Sequence, residues 1–328
     1  MTRLRVGCVG TGFIAGRHLE ALSRLPDVEV TAVADPVAER AQDAAQRYGA
    51  RAYDDGLALL ESEALDAVWL CVPPYAHGPL EAAALDRGLP FFVEKPLALD
   101  LATAEGIAAR VAETGLLTAV GYHWRHLDVV RAAADLLRDR PPHLVTGYWL
   151  DRTPAAPWWA QRDRSGGQVL EQTTHIFDLA RVLVGEVVGV QAVEVAAPLD
   201  GAGDAPAAAS ALLRFASGAV GTISSARSLA WRHRVALHLV GDAQVVEVAE
   251  RRLVDHELRV VTGDGEQVTT SDQDPIAAED AEFVAALRGG GDGPRVPYAE
   301  ALRTHTLTLA ADRSAREGTP VALEVPGA

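Results

Sequence analysis

The chain has 328 residues, 48% of them hydrophobic, which is ample for two folded cores. Its formal net charge of −15 argues against nucleic acid as a main partner, because binding phosphate needs a basic patch. No apolar run reaches the length of a membrane span, and the N-terminus lacks the apolar stretch and cleavage site of a signal peptide.

Up to residue 122, strand and helix signals alternate. Strand-like runs at Leu4–Gly10, Val28–Ala34, Asp66–Val72, Phe91–Glu94 and Leu117–Gly121 enclose helical stretches at Ile14–Leu25, Val37–Arg47 and Leu101–Glu113. A further helical stretch follows Pro73-Pro74 and runs to Arg87. This α/β rhythm predicts a Rossmann-like, doubly wound parallel sheet over 1–122. Cys8 and Cys71, the only two cysteines, fall inside apolar runs. They read as small buried hydrophobes, with no disulfide framework and no zinc site, and point to a reducing cytoplasm.

The rhythm changes over 123–328. Arg125–Arg138 and Val169–Leu183 read as helices around a strand at Leu144–Leu150 and a loop rich in Pro, Trp and Arg. Short strands then follow at Val188–Ala196, Ala211–Phe215, Ala219–Ser224, Arg234–Val240, Gln244–Val248 and Leu258–Val261, separated by glycine turns that favour antiparallel pairing. Helices at Asp280–Leu287 and Tyr298–Arg316 and a strand at Val321–Val325 complete an α+β domain with an open, mostly antiparallel sheet. Pro198–Pro206 and Gly289–Pro294 are turn-rich. Neither stands between a strand and a helix of a βαβ unit, so both read as surface loops and not as phosphate cradles.

Gly10-Thr11-Gly12-Phe13-Ile14-Ala15 follows a strand and opens a helix, and Asp35 ends the next strand. The first glycine permits the tight turn, the second lets a pyrophosphate approach, and the small sixth residue permits close helix–strand packing. A helix N-terminus then receives the anion. A carboxylate at Asp35 suits two ribose hydroxyls and repels a 2′-phosphate, which favours NAD over NADP.

Among 30 basic residues the chain has a single lysine, Lys95, in Phe-Phe-Val-Glu94-Lys95-Pro96. An arginine-rich background explains the count but not the location. Unlike guanidinium, an ammonium can share or release a proton.

With these motifs in place, the chain resembles the Gfo/Idh/MocA oxidoreductases over nearly its whole length. The resemblance rests on the glycine-rich turn, Val72-Pro73-Pro74-Tyr75-Ala76-His77, Glu94-Lys95-Pro96, Gly121-Tyr122-His123-Trp124-Arg125 and the stretch from Glu171 to Leu183. It implies that Lys95 lies beside nicotinamide and substrate, that Pro73, Pro74, His77 and Glu94 line the cofactor, and that Tyr122, His123 and Arg125 lie near the substrate. For Arg125 the plain alternative is a surface ion pair, and for His123 and His126 an ordinary role at a helix start.

In the family an Asp and a His stand four residues apart on a helix of the second domain. Here Glu171 and His175 match them, with Glu in place of Asp, so substrate identity does not carry over. Spacing alone puts Glu171, His175 and Asp178 on one helical face. In isolation such a group reads as a solvated pair, and no Cys or second nearby His completes a metal site. Trp158 and Trp159 either stack on a sugar face or anchor their loop, which also carries Gln161, Arg162 and Arg164.

The expected activity is hydride transfer between NAD and a hydroxyl carbon of a sugar, polyol or cyclitol. Lys95, His175 and Glu171 would be the catalytic set, in a homodimer or homotetramer associating through the open sheet. Transient oxidation by a retained NAD, as in glycoside cleavage or epimerisation, and a non-catalytic NAD sensor are the alternatives.

Overall fold

The computed structural model describes residues 3–195, 203–252 and 255–324. The chain divides into two compact units, one made of 1–123 and 275–302, the other of 124–274 and 303–328.

In the first unit six strands are ordered β3-β2-β1-β4-β5-β6, all parallel. They are β1 (Leu4–Val9), β2 (Val28–Ala34), β3 (Arg51–Tyr53), β4 (Ala67–Leu70), β5 (Phe91–Val93) and β6 (Thr118–Val120). Helices α1 (Phe13–Ser23), α2 (Ala38–Tyr48), α3 (Gly56–Ser62), α4 (Pro79–Asp86) and α5 (Leu101–Thr114) connect them. A parallel sheet covered on both faces needs apolar side chains on both, so its strands are continuous apolar runs. In β4, Val68 and Leu70 enter one core with Phe91 and Val93, while Ala67 and Trp69 enter another with Cys8 and Phe92. Helix ends follow local chemistry: Asp55 and Asp100 accept from the Leu57 and Thr103 amides, and Gly49 and Gly115 supply left-handed C-caps.

The sequence reading cut the chain once, after residue 122. The 275–302 segment instead returns to the first unit, because it carries large side chains that the Rossmann sheet buries. Phe283, in α10 (Pro275–Leu287), meets the Trp69 ring edge-on at 5.3 Å, and Tyr298 meets Phe91 at 6.2 Å. Its helix starts at Pro275, five residues before the expected Asp280. Two elements lie where no signal was read, β3 and α3.

The second unit holds a nine-stranded sheet of β7 (Leu144–Leu150), β8 (Val187–Val195), β9 (Ala208–Phe215), β10 (Val220–Ala226), β11 (Arg234–Gly241), β12 (Gln244–Arg252), β13 (Asp255–Thr262), β14 (Gly265–Ser271) and β15 (Val321–Ala322). Their order is β14-β13-β12-β11-β7-β10-β9-β8-β15, and only β7 with β10 pair parallel. Its helices are α6 (Asp128–Asp139), α7 (Arg162–Ser165), α8 (Gln168–Glu171), α9 (Thr174–Val184) and the later part of α11 (Tyr298–Glu317). Alternation in the strands buries one sheet face: Leu213 and Phe215 of β9 join α6 and α9 residues in the core, while Leu212 stays exposed. The opposite face leaves Val193, Leu212, Val220 and Leu144 exposed.

The helix expected over 169–183 is interrupted at Gln172–Thr173. The one expected over 125–138 splits into a 3₁₀ turn, His123–His126, and α6. Strand β14 carried no sequence signal. Of the expected Pro198–Pro206 loop, 198–202 lie outside the described residues. The remainder is pinned, not loose: Ala205 is buried, and Arg227 donates to the carbonyls of Ala205 (2.7 Å) and Pro206 (3.0 Å). Val325 likewise lies outside the described residues. Among those described, no helix is long and apolar enough to cross a membrane.

Candidate functional site

The first unit supplies a dinucleotide turn. Gly10 has φ 88°, and a Cβ there would sit 2.2 Å from the Cys71 carbonyl oxygen, so only glycine fits. Gly12 caps α1 without any side-chain hydrogen bond, and a Cβ on it would meet nothing within 4 Å. The helix start therefore carries no side-chain cap and has room beside Gly12, and the first N–H groups of a helix are the donor set that a pyrophosphate takes. Phe13 is 70% exposed although large and apolar, and so is available to cover a ligand.

Asp35 follows β2 and is buried. The Thr11 amide and hydroxyl each donate to its Oδ2 at 3.0 Å, and the Val37 amide donates to Oδ1 at 2.9 Å. A carboxylate accepts about four hydrogen bonds, so capacity remains for a ribose hydroxyl. Open helix start, glycine cradle and acidic strand end together fit NAD.

Beyond β4, Pro73 and Pro74 lead into a 3₁₀ turn, Pro74–Ala76, and then His77. His77 Nδ1 lies 2.6 Å from Glu81 Oε1, whose Oε2 accepts from the Gly78 amide at 2.6 Å. His77 Nε2 is buried and has no hydrogen-bond partner, which leaves one polar atom of this turn for a ligand. Lys95 stands two residues beyond the end of β5, after Glu94. Glu94 is buried, its Oε2 accepts the Lys95 amide at 3.1 Å, and its Oε1 faces His18 at 3.1 Å. The Glu94 carboxylate thus engages protein groups. Tyr122 is buried in this unit's core, whereas His123 is half-buried.

In the second unit His175 opens α9, buried, its ring stacked on Trp149 of β7 at 5.9 Å and 24°. The Arg232 guanidinium lies 4.9 Å from the centre of the Trp149 ring. Glu171 ends α8, and its Oε2 accepts the Trp159 indole N–H at 2.6 Å. Trp159 is buried and anchors its loop, while its neighbour Trp158 is half-buried and open to contact.

Asp178 is directed into a buried cluster. The Nε and Nη2 of Arg125 donate to its two oxygens at 2.7 and 2.5 Å, and the Thr304 hydroxyl donates to Oδ1 at 2.6 Å. A fork-on-fork pair of this kind is specific in geometry and fully desolvated. Arg125 commits that edge of its guanidinium to Asp178, in a buried pair and not the surface ion pair that the sequence reading set as the alternative.

A narrow cleft, partly open to solvent, also lies in this unit, lined by Gln168, Thr173, Glu194, Asp312 and several alanines. Its lining includes neither His175 nor Glu171, so it is distinct from the candidate site.

Sequence reasoning missed Trp149, which carried only the weak signal of an aromatic in a strand, and it missed His18. His18 lies on α1, with Nδ1 2.9 Å from Asp280 Oδ1 and Nε2 beside Glu94. Among the described residues, donor atoms of His18, Glu94 and Glu279 fall within 4.8 Å of one another. No sequence spacing brings these residues together, since Asp280 is 262 positions from His18.

Comparison with known proteins agrees with both halves. Residues 4–122 match a family model described as an oxidoreductase family with an NAD-binding Rossmann fold, and 128–247 match the GFO/IDH/MocA C-terminal domain. An inositol 2-dehydrogenase of Rhizobium meliloti (strain 1021) is 31% identical over 305 residues, 88% of this chain and 90% of that protein. A D-apiose dehydrogenase of Paraburkholderia graminis is 27% identical over 98% of this chain and 90% of its own length. The crystal structure of GenD2 from gentamicin A biosynthesis, in complex with NAD, superposes with a TM-score of 0.86 at 24% identity, covering 99% of this chain and 97% of that one.

Proposed function

The chain belongs to the Gfo/Idh/MocA family of NAD-binding oxidoreductases, and on that premise we propose that it oxidises a secondary hydroxyl of a cyclic polyol or sugar. The observation that carries this reading is the Gly10–Gly12 turn, with its open helix start and the Asp35 carboxylate beside it. The inositol and apiose dehydrogenases among its relatives support the substrate class.

NAD⁺, which the Gly10–Gly12 turn and Asp35 would hold, would supply the hydride acceptor for the hydroxyl carbon. His175 takes the hydroxyl proton as general base, the role that a histidine side chain most often fills. The Trp149 ring fixes the plane of that imidazole, and Glu171 is assigned its orientation. Lys95 stabilises the oxygen as it becomes an alkoxide and then a carbonyl. Tyr122, His123, Arg125, Trp158 and Trp159 are assigned to the substrate side, Arg125 and Trp159 by holding other residues in place. Phe13, Ile14, Pro73, Pro74, His77 and Glu94 are assigned to the cofactor side. Asp35 selects NAD over NADP by repelling a 2′-phosphate.

The exposed apolar face of the nine-stranded sheet supports association into a homodimer or homotetramer. Two buried free cysteines support a reducing cytoplasm.

The test is a parallel titration with NADH and NADPH, read by tryptophan quenching, followed by a screen of inositols and sugars for NAD⁺ reduction. Tight NADH with weak NADPH binding, and reduction by an inositol or a sugar, are expected. Absence of binding to either nucleotide, in protein free of trapped nucleotide, would overturn the reading.

A further inference from the structure

Within the first unit, His18 is fully buried between two carboxylates. Its Nδ1 is 2.9 Å from Asp280 Oδ1, and its Nε2 is 3.1 Å from Glu94 Oε1. Both contacts have hydrogen-bond length, and both face acceptors. A neutral imidazole has one N–H, so it can donate to only one ionised carboxylate, whereas an imidazolium donates to both. Burial disfavours that charge. The Asp280 and Glu94 carboxylates outweigh burial and hold His18 well above the usual imidazole range. Asp280, raised by its own burial, also accepts the Trp69 indole N–H at 2.8 Å.

Glu94 is gripped from several sides. Oε1 takes His18, Oε2 takes the Lys95 amide, and a Cβ on Gly121 would lie 2.5 Å from Oε1. Gly121 is therefore glycine because the carboxylate occupies the space of its side chain. The chain of contacts runs from α10 through His18 of α1 to Glu94 and the amide of Lys95. It joins the helix that opens the dinucleotide turn to the point where the lysine leaves β5.

We propose that His18, donating from both ring nitrogens, is a positioning residue that locks Glu94 and so fixes Lys95 relative to the dinucleotide turn. This rests on the reading of Lys95 as catalytic. The groups facing the His18 ring are Glu94 beyond β5 and Glu279 and Asp280 of α10, with Phe92 tilted against it at 4.9 Å. Cys71, after β4, stands in the field of Glu94 and Asp280.

The experiment exploits the single lysine. Reductive ¹³C-methylation of the full chain labels Lys95 and the α-amine alone, and each reports its surroundings without any substrate. The Lys95 methyl signal is expected to shift and broaden in both His18→Gln and Glu94→Gln, with NADH affinity close to wild type in His18→Gln. Once a substrate is known, each variant is expected to lose about a hundredfold in kcat, the scale of a small misplacement. The double variant should lose little more than either single one, because both break one chain of contacts.

Ring ¹⁵N shifts of wild-type His18, assigned by their absence from His18→Gln, are expected at imidazolium values at neutral pH. An unchanged Lys95 signal in both variants would overturn the proposal. A neutral His18 ring, or a stoichiometric divalent metal in the purified protein, would overturn it as well. If the variants fail to fold, metal content and the wild-type ring shifts, assigned then through the contact of His18 with the Phe92 ring, still decide. Failure of the dehydrogenase reading shows instead as absent NADH binding or absent oxidation, leaving the ring and lysine signals to decide this inference.

Discussion

The Trp159 indole donates to Glu171 Oε2 at 2.6 Å, which ties the Pro- and Trp-rich loop to the last residue of α8. The sequence reading matches Glu171 to an Asp of the family, and the Glu171 side chain reaches an indole that steadies it. Trp159→Phe keeps the ring and deletes the donor. It should cost about 1–3 kcal/mol of stability, the range for a stranded hydrogen-bond partner, and lower kcat more than it raises KM. Thermal denaturation and steady-state kinetics on the substrate found in the screen check both. An unaltered kcat would remove Glu171 from the catalytic set.

Lys95 can be tested without changing any other amine of a side chain. Lys95→Met should lower kcat by about 10²–10³, the scale for one charge-stabilising donor, while NADH affinity stays near wild type. Lys95→Arg keeps the charge but not the compact geometry or the labile proton, and should be nearly as inactive. A fully active arginine variant would reduce the role of Lys95 to charge alone.

Much of this architecture is legible in the sequence because it is written locally. The parallel strands are apolar on both faces, as Val68, Trp69 and Leu70 show, and the glycine turn falls between a strand and a helix. The polar edge strand Gly265–Ser271 is exposed along nearly all its length, so no alternation marks it. The break at Gln172–Thr173 carries no glycine or proline, and regular spacing runs straight across it. Spacing put Asp178 on one helical face with Glu171 and His175, a face that this break interrupts, and its partners Arg125 and Thr304 are remote in sequence. The return of α10 to the first unit depends on the contacts of Asp280 with His18 and Trp69, pairings that no local pattern encodes.

The Arg125–Asp178 pair is buried, doubly hydrogen-bonded and extended by Thr304, whose hydroxyl also receives Arg181 Nη1 at 2.6 Å. Removing one partner strands the other charge in a dry site, so Asp178→Ala should cost about 3–5 kcal/mol. Arg125→Met should be milder in KM than in stability, since its role toward substrate is assigned through the fold of α9. Denaturant titration beside kinetics separates these effects. A large rise in KM with unchanged stability would make Arg125 a direct substrate ligand.

Stability should depend on pH through His18. Its folded-state pKa is raised, so the folded protein holds a proton that the unfolded chain gives up near pH about 6.5. The stabilisation is complete below that value and is lost as pH rises through the folded-state value. Asp280, raised by burial, acts in the same direction but from a lower starting pH. His238, lowered by burial, is neutral in both states above pH about 7 and so drops out there. Thermal midpoints measured upward from neutral pH should therefore fall more steeply for the wild type than for His18→Gln. Parallel curves would mean that the proton does not reside on His18.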